Sequence, residues 1–244
     1  MKPIIIFALV GILFVHPSEI SAKEKIPILL YHHVHKYNGI GTEDLYVTPS
    51  NFEKQMEYLR DHGFTLVNFD HIHDLDTVKK PILITFDDGY KDNLQAFLIF
   101  RKLTTESFRP TGTIFVISDF IGRANRLSVT DIKRMVESGI ISIQSHTATH
   151  PELPKITNYE YELHESKKKI QQITGKPVTA LAYPYGLYND HVIAETKKYY
   201  LFGLTTLQKT VSLPLNPEEN YLLPRISIDD SISIHEFARI VEGG

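Results

Sequence analysis

Pro81-Ile82-Leu83-Ile84-Thr85-Phe86-Asp87-Asp88-Gly89-Tyr90 is the stretch from which the fold is read. Its first six residues do not alternate between apolar and polar. A strand with one wet face would alternate, so this run predicts a strand covered on both faces, as in a parallel sheet. It ends on two adjacent carboxylates and a glycine that allows a sharp turn. Adjacent acids repel and stay close only with compensation. A cation beside one would supply it and leave the other to act as general base on an activated water. An Asp-Asp-Gly surface turn has the same sequence, so the motif alone leaves both readings open.

Outward from this strand, short β-type runs alternate with helical patterns. Ile26–Tyr31, Phe64–Val67, Gly112–Val116, Ile140–Ile143, Val178–Ala182, Phe202–Leu204 and Tyr221–Ile228 predict further strands. Helices are predicted from Thr48-Pro49-Ser50 to Gly63, with Phe52, Met56 and Leu59 on one face, and over Asn93–Leu103. Others are predicted over Asp131–Ser138, capped by Thr130, and over Asn158–Thr174, Asp190–Lys198 and Ile234–Val241. Seven to eight strands in alternation predict an α/β fold, an irregular (β/α) barrel rather than an open sheet, in one domain over residues 23–244.

Residues 1–22 read as a separate element. One lysine, an apolar run from Ile4 to Val15 and the polar His16-Pro17-Ser18-Glu19 match a secretory signal peptide or an N-terminal anchor. Both place the domain outside the cytoplasm, secreted, on the cell surface or in a periplasm, and the second adds membrane attachment. The formal net charge of -3 gives no sign of a nucleic-acid partner. With no cysteine in the chain, any metal must be held by nitrogen and oxygen ligands.

Three more polar clusters follow predicted strands, where α/β barrels assemble their active sites. In Ser145-His146-Thr147-Ala148-Thr149-His150, two histidines four apart on one helical turn would both reach one cation; a polar loop with two exposed histidines is the other reading. Asp88 would complete a facial set of two histidines and a carboxylate, which also suits Fe(II). In Tyr183-Pro184-Tyr185-Gly186, the glycine lets the backbone approach a ligand, though a plain turn reads alike. In Tyr31-His32-His33, one imidazole facing the barrel mouth could protonate a leaving amine while its neighbour points away; two loop histidines read the same.

In order, these motifs resemble the polysaccharide deacetylases of carbohydrate esterase family four, the NodB-homology domain. Thr85-Phe86-Asp87-Asp88-Gly89 matches the first motif and Ser145 to His150 the second. The resemblance implies Asp87 as general base and Asp88, His146 and His150 as ligands of a divalent metal, commonly zinc. It implies that Tyr185 gives a backbone N–H to the oxyanion. The arginine usual in the third motif is replaced by Ala182, and Arg225 is the candidate to take its place. The Tyr-His motif near the N-terminus and Ala182 to Gly186 are similar to the branch acting on poly-β-1,6-N-acetylglucosamine, whose barrel is circularly permuted. That likeness makes His32 the general acid, with His235 as competitor. The implied activity is release of acetate from N-acetylglucosamine residues of an extracytoplasmic polysaccharide. Peptidoglycan, chitin-like or O-acetylated glycans, or carbohydrate binding without catalysis, are the alternatives.

Overall fold

The computed structural model describes residues 25–243, so the segment 1–22 lies outside the described residues. Eight parallel strands form the frame: β1 (Ile28–Tyr31), β2 (Thr65–Val67), β3 (Pro81–Phe86), β4 (Gly112–Val116), β5 (Ile141–Ser145), β6 (Ala180–Ala182), β7 (Phe202–Leu204) and β8 (Ile226–Ser227). Seven follow one another in the order β7-β6-β5-β4-β3-β1-β8, while β2 runs beside the first half of β3. The sheet curls until its edges approach. Leu204 of β7 bridges Leu223, and Ile226 pairs with Leu29 of β1. The result is an incomplete, distorted barrel whose gap is crossed by the segment 223–226.

Every residue of β3 is buried. Its alternate side chains enter two cores. Ile82, Ile84 and Phe86 join the layer between sheet and helices, whereas Leu83 lies with Ile28, Phe115, Ala180 and Phe202 inside the barrel. This two-residue period decides which residues beyond each strand face the interior.

The outer layer consists of α1 (Pro49–Asp61), α2 (Asn93–Leu103), α3 (Val129–Glu137), α4 (Ser166–Thr174), α5 (Asp190–Lys197) and α6 (Ile234–Glu242). α1 starts as expected: the Thr48 side chain accepts from the Asn51 N–H, Pro49 occupies the first turn, and Phe52, Met56 and Leu59 are buried. Among the described residues, no helix is long and apolar enough to cross a membrane.

Several predicted elements differ in detail, four of them beyond a shift of bounds. The first strand is interrupted at Pro27: Lys25–Ile26 pairs antiparallel with Val211–Ser212, and β1 begins afterwards. Proline cannot donate to a ladder. The cap of α3 is Ser128, not Thr130. Its side chain accepts from Asp131 N–H while the Asp131 carboxylate accepts from Ser128 N–H, at 2.8 Å, a reciprocal pair. The helix expected over Asn158–Thr174 opens with a wide π-type turn, Glu160–Glu165, before α4. The strand expected over Tyr221–Ile228 shrinks to β8, because Pro224 lacks an N–H and the segment is crossing between sheet edges.

Candidate active site

Continuing the inward positions past the strand ends assembles the site. β1 leads to His32, β3 to Asp87 and β5 to His146. His33, one step on, points the other way. Its ring stacks between Tyr46 (centroids 4.1 Å apart) and Tyr90 (3.6 Å), and Nδ1 lies 2.7 Å from Asp92 Oδ2. Asn93 Nδ2 donates to the His32 carbonyl at 2.7 Å, tying the end of β1 to the start of α2.

Asp87 is buried against Arg225, which is wholly inaccessible. The guanidinium forks onto the carboxylate, NH1 to Oδ1 and NH2 to Oδ2, both at 2.7 Å, and Nε donates to Thr205 O at 3.0 Å. Burial pushes the Asp87 carboxyl up, but Arg225 and the His146 imidazole outweigh it and hold it well below the usual carboxylate range. Asp87 is therefore an anion at neutral pH. Arg225 reaches it from the segment that crosses the barrel gap, far away in sequence.

Asp88, His146 and His150 converge beside this pair. The two imidazole Nε2 atoms are 3.2 Å apart, and Asp88 Oδ1 is 3.7 Å from His146 Nε2 and 3.6 Å from His150 Nε2. Ligand bonds of about 2.0–2.1 Å in tetrahedral array separate neighbouring donors by roughly 3.3 Å, so the set fits a cation such as zinc. His146 Nδ1 lies 2.8 Å from Ala182 O. A carbonyl only accepts, so Nδ1 carries the hydrogen and Nε2 offers its lone pair to the site. Burial, and then His146, push the His150 imidazole down to about 4, leaving it in the neutral, ligating form.

The histidine spacing works, but not through a helical turn. After β5 the chain makes a tight non-helical loop in which Thr147 (φ 67°) and His150 (φ 66°) are left-handed. Asp88 (φ 70°) and Tyr185 (φ 59°) share that conformation, which concentrates strain where a site is built. A Cβ on Gly186 would come 2.2 Å from Thr206 Oγ1, so this turn requires its glycine. The Tyr185 ring is exposed and meets His150 edge-on at 4.5 Å.

His32 lies in the field of Asp87, Asp88, Arg225 and His146; burial lowers its pKa, and the two carboxylates oppose the shift. His235 is exposed in the first turn of α6. Residues 74–202 match the family "Polysaccharide deacetylase".

The chain belongs to the polysaccharide deacetylase family. Its enzymatic class is accordingly a deacetylating hydrolase. YxkH of Bacillus subtilis, named as a polysaccharide deacetylase, is 34% identical over 89% of this chain and 76% of its own length. The poly-β-1,6-N-acetyl-D-glucosamine N-deacetylase of Staphylococcus aureus is 26% identical over 91% of this chain and 86% of its own. The crystal structure of the polysaccharide deacetylase BA0330 from Bacillus anthracis superposes with a TM-score of 0.88 at 47% identity, covering 90% of this chain and 69% of that one. In this deacetylase the residues singled out by sequence come together, except His235. Sequence reading missed Glu162, whose buried carboxylate accepts from the histidine loop; only the unusual placement of an acid on a helix's inner face could have signalled it.

Proposed function

We propose that this chain hydrolyses the acetamide groups of N-acetylglucosamine residues in an extracytoplasmic polysaccharide, releasing acetate. The observation that carries the reading is Asp87, forked by Arg225, standing beside the Asp88–His146–His150 set. The Staphylococcus aureus relative, named for a β-1,6-linked N-acetylglucosamine polymer, supports that polymer as substrate. The signal-like residues 1–22 support export, with membrane attachment if the segment is retained.

A divalent cation, best matched by zinc, would be held by Asp88, His146 and His150 and would polarise the acetamide carbonyl and a water. Asp87 takes a proton from the attacking water; its fork on Arg225 holds both carboxylate oxygens in place. The Tyr185 backbone N–H donates to the carbonyl oxygen as it gains charge. His32 delivers a proton to the departing sugar nitrogen, which leaves as a free amine.

The test is acetate release from β-1,6- and β-1,4-linked N-acetylglucosamine oligomers by the mature domain, with and without added divalent metal. The expected result is metal-dependent release favouring the β-1,6 oligomer. Asp87→Asn and His32→Ala should each lower kcat by about 10²–10⁴-fold. A β-1,4 preference would move the substrate to chitin-like or peptidoglycan chains. Absence of release from either oligomer by the metal-bound protein would overturn the proposal.

A further inference from the structure

We propose that Glu162 is a positioning residue that sets the metal affinity of the site by holding the loop between His146 and His150; this rests on the metal-site reading above. The loop has left-handed residues at Thr147 and His150, neither a glycine. Such a backbone persists only when its surroundings restrain it. Glu162 supplies the largest single restraint. Its Oε2 accepts from Ala148 N–H at 3.0 Å and Thr149 N–H at 2.9 Å, and its Oε1 accepts from the Thr149 hydroxyl at 2.7 Å.

The Glu162 side chain is 7% exposed, and among the described residues no lysine, arginine or histidine lies within ion-pair distance of it. A buried carboxylate without a cation must be balanced by hydrogen-bond donors, and here those donors are the metal loop itself. Hydrogen bonds to a charged acceptor are the strong kind. On the opposite side the loop carbonyls are also engaged: Ser118 N–H donates to Thr147 O and Asp119 N–H to Ala148 O, both at 3.0 Å. Four residues on from Glu162, Ser166 Oγ lies 3.0 Å from Ser145 Oγ at the loop's start. The polypeptide of the wide turn and α4 thus grips the loop at its start and its middle, and Glu162 holds the two residues that immediately precede His150.

The test is zinc affinity measured by competition with a chelating dye, alongside the thermal midpoint of each protein in excess chelator. Glu162→Ala should weaken zinc binding about 10–100-fold, the range for residues that orient metal ligands. Glu162→Gln, which keeps an acceptor oxygen for the two amides, should recover most of that loss. A purely structural role would lower the metal-free midpoint and leave the zinc affinity of the folded chain unchanged, and that outcome overturns the inference. Should Glu162→Ala fail to fold, Thr149→Val, which removes the hydroxyl bond to Oε1, takes its place, and wild-type zinc affinity in that variant overturns the inference equally. A folded wild-type chain that binds no divalent metal would instead sink the metal-site reading.

Discussion

Arg225 and Asp87 illustrate how much rests on single residues. Two opposite charges are out of water, and only their fork-to-fork geometry balances the desolvation. Arg225→Met keeps roughly the volume and removes the charge. It should destabilise the fold by about 3–5 kcal/mol at neutral pH, the range for stranding a buried charge. The pH dependence gives the sign check. In the wild type the folded Asp87 pKa lies below its unfolded value near 4, so the stabilisation is present above that value and is lost as pH falls. In the variant, burial acts without the guanidinium and raises the folded pKa, so protonation on acidification relieves the penalty. Denaturant midpoints at neutral and mildly acidic pH should therefore converge between the two proteins; a constant difference would refute the pairing as the cause. From sequence, Arg225 was a candidate only because an arginine was missing at Ala182. The resemblance implied the catalytic aspartate as its partner, and the structure bears this out. The two-bond fork itself was not readable, since 138 positions separate the two side chains.

At the scale of elements, propensity and period carry most of the fold. β3, α2, β4 and β7 begin and end where their residue patterns place them, because continuous apolar runs and flanking turn residues mark buried parallel strands sharply. Caps are less legible. Ser128 and Thr130 both suit an N-cap, and the choice falls to Ser128 because only it stands three residues before Asp131 for a reciprocal bond. Ser128→Ala should cost about 1 kcal/mol of stability, whereas Thr130→Ala, at an exposed position in the first turn, should stay within about 0.5 kcal/mol. Thermal denaturation of the two variants distinguishes them, and equal losses would contradict the assigned cap. The histidine loop gives the opposite lesson. A spacing of four fits a helical turn, yet the chain meets the same requirement with two left-handed residues and outside restraints.

For the whole molecule, the curled sheet brings the ends of β1, β3, β5 and β6 and the crossing segment before β8 to one mouth, so candidate metal-binding side chains from distant positions share a single centre. Metal binding should consequently be felt by the entire fold. Free zinc at one hundred times its Kd would stabilise the folded chain by about 2.7 kcal/mol, a rise of roughly 5–10 °C in Tm for a domain of this size. Chelator should reverse it and abolish acetate release together, and a midpoint indifferent to zinc would count against the site. The amino-acid sequence by itself determined the strand and helix alternation, the inward period that delivers His32, Asp87 and His146, and the donor types available to a metal in a chain without cysteine. Those are local properties, set by residue chemistry at short range. The closing of the barrel gap by 223–226, the fork of Arg225 on Asp87 and the grip of Glu162 on the histidine loop were decided only by tertiary structure. Each joins residues far apart in the chain, and such contacts are selected by the packing of the whole sheet and its helices.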